Sequence, residues 1–113
     1  VHISSGKDNK NFLSKNRLRK ISKSAFFINT SRGDIVDEEA LTTLLYNREI
    51  AGAGLDVFIN EPNVPENLRA LPNVTLLPHI GSATIETREK MGMLALSNLL
   101  AFFNKTEIPN RVI

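Results

Sequence analysis

The chain has 113 residues, a net charge of +2 at pH 7, and 42% hydrophobic and 23% charged residues, which suits one compact unit with its own core. It has no cysteine, which excludes disulfides and thiolate chemistry, and its two histidines are too few for a typical histidine-rich metal site, so no metal is expected. No apolar run reaches the roughly 20 residues that a membrane helix needs, and the start is neither a signal peptide nor an initiator Met. We therefore expect a cytoplasmic protein with no membrane partner, and a chain that begins inside a larger one.

Charge is distributed unevenly along the chain. Residues 1–32 carry eight basic side chains against one acidic side chain, and residues 33–113 carry six against eleven. A basic N-terminal third can indicate nucleic-acid binding. A solvated helix face is the alternative, and we favour it because the basic stretch has Phe12 as its single aromatic residue and no stacking platform follows. No nucleic-acid partner is expected.

The predicted elements alternate between strand and helix. Residues 1–3 read as the end of a strand, and residues 12–21 as a short helix. Residues 25–30 (AFFINT) form an apolar run that is typical of a strand buried on both faces of a parallel sheet. A helix then begins at Asp37, whose carboxylate can cap the first free amides, and Leu41, Leu44 and Leu45 supply its buried stripe.

Two further strands and a long helix complete the pattern. Strands are predicted at residues 51–58 and 74–77, with an irregular, proline-rich stretch at residues 60–72 between them. Gly52 and Gly54 indicate the close approach of another backbone or of a ligand. A helix is predicted from about Thr84 to Phe103, with one buried face. The residues expected on that face are Gly92, Ala95, Leu96, Leu99 and Phe103.

This alternation predicts an α/β fold with a doubly wound, parallel, Rossmann-like sheet followed by a long C-terminal helix. In such sheets, ligands bind beyond the carboxyl ends of the strands. That rule selects residues 30–33, 56–61 and 79–82 as candidate functional loops.

Each of these loops carries a polar side chain that is suited to chemistry. Arg32 offers a planar fork that can grip a carboxylate, and the His79 imidazole can exchange a proton near neutral pH. A carboxylate, from Asp56 or Glu61, can hold the other ring nitrogen. The alternatives are a surface arginine, a satisfied strand-end aspartate, a solvated loop glutamate and a capped turn histidine.

Three segments resemble the D-isomer-specific 2-hydroxyacid dehydrogenase family. Residues 27–41 (FINTSRGDIVDEEAL) resemble its arginine segment, and residues 53–58 (AGLDVF) with the following Glu61-Pro62 resemble its glutamate segment. Residues 71–84 (LPNVTLLPHIGSAT) resemble its histidine segment. Their sequence is closest to that of the glyoxylate and hydroxypyruvate reductase branch. The segments occur in the family's order and spacing, and the resemblance covers about residues 20–113.

The resemblance implies an NAD(P)-dependent oxidoreductase that transfers hydride between nicotinamide and a 2-oxo or 2-hydroxy acid, either glyoxylate or hydroxypyruvate. Arg32 would bind the substrate carboxylate, His79 would donate the proton and Glu61 would hydrogen-bond the His79 ring. The cofactor would be NAD or NADP, with NADP favoured, and the parent enzyme a homodimer. The residues implied in cofactor binding are Thr30, Ser31, Arg32, Asp56, His79, Ile80 and Gly81.

The sequence also departs from the family. It contains no G-x-G-x-x-G, and the turn after the first strand reads Ser4-Ser5-Gly6 in place of the family's Pro-Leu-Thr. Residues 1–83 would be the C-terminal half of a dinucleotide-binding domain, and residues 84–113 a long helix and extended tail that pack back toward an absent substrate domain. We therefore predict that this polypeptide alone is inactive. The alternative function is a non-catalytic dinucleotide-sensing module, since corepressors resembling this family retain the same three side chains.

Overall fold

The computed structural model describes residues 1–112 and divides them into two compact units, Val1–Gly81 and the part from Ser82 onward. In the first unit, short 3-10 turns lie at Lys7–Asn9 and Gly33–Ile35. Its helices and strands are α1 (Lys15–Leu18), β1 (Phe26–Asn29), α2 (Glu38–Tyr46), β2 (Gly52–Leu55), α3 (Glu66–Arg69) and β3 (Val74–Leu76). The second unit contains helix α4 (Ile85–Phe103).

The three strands form one parallel sheet in the order β1-β2-β3. Asn29 at the end of β1 pairs with Leu55, and Leu55 pairs with Leu76 at the end of β3. The carboxyl ends of the three strands are therefore level, and the loops that follow them leave from one edge. This confirms the expected parallel α/β fold.

Helix α2 covers one face of the sheet. The Asp37 carboxylate accepts a hydrogen bond from the Ala40 amide at 3.0 Å, which confirms the predicted cap. Leu41, Leu44 and Leu45 are buried as predicted, and they belong to one apolar cluster with buried residues of β1 and β2. This packing holds the sheet edge from which the functional loops leave.

Strand β1 is not buried on both faces, which corrects the prediction. Phe27 and Asn29 point into the core, but Phe26 and Ile28 are 72% and 52% exposed. The apolar run indicated a strand correctly, but a run of this kind does not say which face is covered. Residues 1–3 are not a strand either, although the Val1 amino group donates to the Ile28 carbonyl at 2.7 Å.

The proline-rich stretch between β2 and β3 is more regular than predicted. It contains helix α3, a single turn whose Leu68 is fully buried against the core. Close approach at Gly52 is confirmed, because a Cβ there would lie 2.5 Å from the Asn73 carbonyl oxygen. Glycine at this position lets β2 lie against the chain that leads into β3.

In the second unit, Thr84 caps helix α4 as predicted, since its hydroxyl accepts a hydrogen bond from the Thr87 amide at 3.2 Å. The predicted buried face is wrong: Leu96, Leu99 and Phe103 are 44%, 56% and 74% exposed, and Ala101 is the buried residue of the helix. Periodicity shows where an apolar stripe lies but not what covers it. Over residues 1–112, no helix is long and apolar enough to cross a membrane.

Candidate active site

The level strand ends open a cleft of about 390 Å³ at one edge of the sheet. Its walls come from the turn after residue 3, the loop after β1, the loop after β2 and the loop after β3. The lining residues are Ser5, Arg32, Gly33, Asp34, Phe58, Ile59, Glu61 and His79. Arg32, Glu61 and His79, the three residues predicted to be catalytic, therefore face one cavity.

Glu61 and His79 form a direct pair in this cleft. The Glu61 Oε2 lies 2.7 Å from His79 Nδ1, and Glu61 Oε1 accepts a hydrogen bond from the Phe58 amide at 2.9 Å. Both carboxylate oxygens are thus used, and the carboxylate is fixed against its own loop. Because Nδ1 faces Glu61, the ring nitrogen that remains for a ligand is Nε2.

The pKa of Glu61 lies below its ordinary value of 4.5. Partial burial alone would raise this pKa, but the hydrogen bond with His79 and the one from the Phe58 amide lower it, as do the charges of His79 and Arg32. Glu61 therefore stays ionised through the neutral range, which suits a group that holds the His79 ring through its Nδ1–H.

Arg32 lies in a turn that a buried asparagine holds in place. Asn29 is 2% exposed, and its Nδ2 donates to the Arg32 carbonyl oxygen at 2.9 Å. Its Oδ1 accepts hydrogen bonds from the Ser31 amide at 3.0 Å and the Ser31 hydroxyl at 2.9 Å. Sequence reasoning missed this role of Asn29, although asparagine is a common turn residue because its side chain can bond the main chain two residues further on.

Close contact between the loop after β1 and the loop after β2 brings Arg32 and Glu61 to the same cleft. A Cβ at Gly33 would overlap the main-chain carbonyl group of Phe58 and lie 2.5 Å from the Ile59 nitrogen. Glycine at position 33 lets the loop after β1 lie directly on the loop after β2. The cleft depends on this contact because its walls include both loops.

Asp56 supports the turn that carries His79. It is 3% exposed, and its two carboxylate oxygens accept hydrogen bonds from the Ile80 and Gly81 amides, each at 2.8 Å. His79 itself has a positive φ of 55°. The structure thus places the Asp56 carboxylate against the main chain that follows the imidazole.

The remaining predicted cofactor residues lie at the same sheet edge but do not line the cleft. Thr30 is exposed, the Ser31 hydroxyl is bonded to Asn29, and Ile80 and Gly81 are exposed in the turn after His79. Five cleft residues had no assigned role from sequence: Ser5, Gly33, Asp34, Phe58 and Ile59. Ser5 was visible only as a departure from a family pattern, and the other four lie in the loops after β1 and β2.

A second cavity of about 290 Å³ lies on another side of the Glu61–His79 pair. Its lining is largely apolar and includes Val64, Leu76, Leu77 and Pro78, and Arg69 also lines it. The pair therefore stands between a polar cleft and an apolar cavity. Within residues 1–112, no three histidine or acidic side chains are grouped as a metal site would need.

A parallel α/β sheet whose functional loops leave from the carboxyl edge is typical of nucleotide-binding α/β domains, and this is the class to which the fold and the cleft point. Residues 1–81 match the model of the D-isomer specific 2-hydroxyacid dehydrogenase, NAD binding domain. The chain belongs to this family, and the resemblance drawn from its sequence is confirmed.

Similar proteins have names from the reductase branch of the family. Over 110 residues the chain is 47% identical to a glyoxylate reductase of Thermofilum pendens, covering 96% of this chain and 32% of that protein. Over 111 residues it is 42% identical to a 2-ketogluconate reductase of Gluconobacter oxydans, covering 98% of this chain and 36% of that protein.

The crystal structure of an NADPH-dependent glyoxylate/hydroxypyruvate reductase from Sinorhizobium meliloti, in complex with NADP and malonate, superposes with a TM-score of 0.94 at 45% identity. The match covers 99% of this chain and 35% of that one. The chain therefore spans about a third of the length of the relatives that it matches.

Proposed function

We propose that this chain forms one wall of the active site of an NAD(P)-dependent oxidoreductase that interconverts small 2-oxo and 2-hydroxy acids, with glyoxylate or hydroxypyruvate as substrate. The observation that carries the proposal is the 2.7 Å Glu61–His79 pair in one cleft with Arg32. The names of the relatives agree with it.

Arg32 would bind the substrate carboxylate. Its guanidinium is exposed in the cleft, and one nitrogen, Nη1, is anchored to the Ser31 carbonyl at 2.6 Å. An anchored guanidinium still has donors for a carboxylate, and its planar fork fixes the orientation of the substrate. This would place the substrate carbonyl toward the imidazole.

His79 would be the acid–base group of the reaction. With Nδ1–H donated to the ionised Glu61, a protonated ring presents Nε2–H to the carbonyl oxygen, and it gives up that proton as the alcohol forms. In the reverse direction, neutral Nε2 accepts the hydroxyl proton. Glu61 stabilises the charged ring and keeps it in the required orientation.

None of these side chains can supply a hydride, so the proposed reaction needs a hydride carrier, and the cleft at the carboxyl edge of the parallel sheet lies where such folds bind a dinucleotide. A bound nicotinamide would supply the hydride to the carbonyl carbon. The residues proposed to hold it are Thr30, Ser31, Arg32, Asp56, His79, Ile80 and Gly81. We favour NADP over NAD because the Sinorhizobium meliloti relative is NADPH-dependent and contains NADP.

The other parts of the proposal concern the complete protein. We propose that it has the length of its relatives and acts as a cytoplasmic homodimer, and that residues 84–113 pack toward a substrate domain outside this sequence. One wall of a cleft cannot exclude water or align two reactants. The 113-residue chain alone should therefore show no turnover.

The test is nicotinamide oxidation by the complete protein with glyoxylate and hydroxypyruvate, using NADPH and NADH in parallel. Arg32→Ala should lower kcat/KM by about 100-fold, because the substrate carboxylate loses charge-assisted hydrogen bonds. Arg19→Ala is the matched control, since Arg19 is exposed outside the cleft. Absence of any reduction by the wild type, or equal rates for the two variants, would contradict the proposal.

A further inference from the structure

Helix α2 is joined to the loop that carries Glu61 by a hydrogen bond from that loop to its first residue. The Ile59 amide donates to Glu38 Oε2 at 3.3 Å, across 21 residues of sequence. Glu38 is half-buried at the start of α2 and does not line the cleft. Any influence of this bond on the Glu61–His79 pair would pass through the chain that follows Ile59.

That part of the chain has little other attachment to the fold. Residues 59–63 (INEPN) are all exposed. Within residues 1–112, two hydrogen bonds join this segment to distant parts of the chain, namely the bond from Ile59 to Glu38 and the bond between Glu61 and His79. An exposed segment with few buried contacts opens locally at little cost in free energy. Apart from the pair itself, Glu38 is therefore the tie between this segment and the rest of the fold.

The helix at the other end of the tie is firmly placed. Asp37 caps its first turn, and Leu41 is buried in the core beneath the sheet. The Thr42 hydroxyl donates to the Glu38 carbonyl oxygen at 2.7 Å within the helix. The main chain of Glu38 is thus fixed relative to the sheet, and its carboxylate carries that fixed position to the Ile59 amide.

The tied amide lies next to the donor that orients Glu61. The Phe58 amide donates to Glu61 Oε1 at 2.9 Å, and Glu61 Oε2 lies 2.7 Å from His79 Nδ1. Phe58 and Ile59 are adjacent, so a shift of the main chain at Ile59 is passed to the Phe58 amide. Hydrogen bonds weaken steeply when their angles or distances change. Loss of the tie to Glu38 should therefore disturb the contact between Glu61 and His79.

Resting on the proposed function, we propose that Glu38 is a positioning residue for the acid–base pair. It holds the Ile59 amide on helix α2 and thereby keeps Glu61 against His79. Small errors in the alignment of reacting groups slow the chemical step strongly. Binding of the substrate carboxylate by Arg32 does not pass through this tie. The expected signature of a lost tie is therefore a lower kcat with little change in KM.

The experiment measures kcat and KM for glyoxylate and hydroxypyruvate with the complete protein and the nicotinamide cofactor that the wild type oxidises. Glu38→Asp keeps the charge at the start of α2 but is too short to reach the Ile59 amide, and it should lower kcat about tenfold with KM within about twofold. Glu38→Gln keeps the length and an acceptor oxygen but removes the charge, and it should keep a kcat close to that of the wild type. Glu39→Ala is the matched control, because the exposed Glu39 follows directly in the same turn.

A double-mutant cycle shows whether Glu38 acts through Glu61. Glu61→Ala should itself lower kcat, and Glu38→Asp added to it should cause no further loss, because the tie then holds a loop without its carboxylate. An equal loss from Glu38→Asp in both backgrounds would show that Glu38 acts by another route and would overturn the positioning role.

The outcomes distinguish this inference from the proposed function. If wild type reduces neither acid, the proposed function fails and the positioning role fails with it. If wild type is active but Glu38→Asp has the kcat of the wild type, or Glu38→Gln loses as much as Glu38→Asp, the positioning role is wrong and the proposed function stands. Thermal unfolding of the same preparations checks that each variant is folded at the assay temperature. A fall in kcat that Glu39→Ala shares would also overturn the positioning role, since it would reflect the charge at the helix end.

Discussion

Two kinds of polar side chain lie at the carboxyl edge of the sheet, and they differ in burial. Asn29 and Asp56 are 2% and 3% exposed, and they bind the main chain of the loops that follow. Arg32 and His79 are exposed in the cleft. Buried polar groups are almost always hydrogen-bonded, and Asn29 and Asp56 use their hydrogen bonds to fix the loops. The loops then hold Arg32 and His79 in the cleft, where these side chains can contact a ligand.

This contrast defines two sets of residues. The frame consists of Asn29, Asp56 and Gly33, through which the loops are held together. The reacting set consists of Arg32, Glu61 and His79, the three residues proposed to act on the substrate. Frame variants should lower both stability and turnover, whereas variants of the reacting set should lower turnover with little change in stability.

The largest expected effect is on turnover. His79→Ala should reduce kcat by about 1,000-fold, the scale of general acid–base catalysis, and change the free energy of unfolding by less than about 1 kcal/mol. Steady-state rates and denaturant unfolding of the same preparations measure both. His2→Ala is the control, since His2 is exposed outside the cleft. Near-normal turnover in His79→Ala would show that the acid lies elsewhere.

A smaller effect is expected in the frame. Gly33→Ala should cost about 3 kcal/mol of unfolding free energy, because the new methyl group overlaps the main chain at Phe58. Gly92→Ala is the matched substitution: a Cβ at Gly92, inside α4, has nothing within 4 Å, and alanine there should gain about 1 kcal/mol through its helix propensity. Equal unfolding free energies for the two variants would refute the close contact of the loops.

The smallest expected effect is the pH dependence of stability through Glu61. Its pKa in the folded chain lies below the ordinary 4.5, so the unfolded chain takes up the proton first as the pH falls. The stabilisation is therefore fully present above pH 4.5 and is lost as the pH falls through the lowered value. The difference in unfolding free energy between wild type and Glu61→Gln should shrink as the pH falls below 4.5. A difference that grows there would contradict a lowered pKa of Glu61 in the folded chain.

Sequence reasoning placed Arg32, Glu61 and His79 at one edge of the sheet, as the structure confirms, because that placement depends on strand ends. Apolar runs of a few residues identified all three strands to within a few positions, and the rule on parallel sheets then pointed to residues 30–33, 56–61 and 79–82. That step needs only the order of elements, whereas the choice of Glu61 over Asp56 came from the resemblance to the family. The buried stripe of α2 was predicted for a similar reason, since helical spacing is a local property.

The frame could not be predicted in the same way. The bonds from Asp56 to the Ile80 and Gly81 amides span 24 and 25 residues, and they exist only because β2 and β3 are in register. Helix α3 was missed because four residues beside prolines carry too little periodic signal. The exposed face of α4 shows the same limit, because a stripe of apolar residues does not specify its partner.

The backbone of His79 has a consequence for how this position can change. A φ of 55° belongs to the left-handed region, which glycine occupies freely, while side chains with a Cβ occupy it at a cost of about 1 kcal/mol. Glycine at position 79 would relieve that cost and remove the imidazole. With the proposed role of His79 in proton transfer, selection for activity would keep the imidazole while selection for backbone stability would favour glycine, so the two would oppose each other at this one codon.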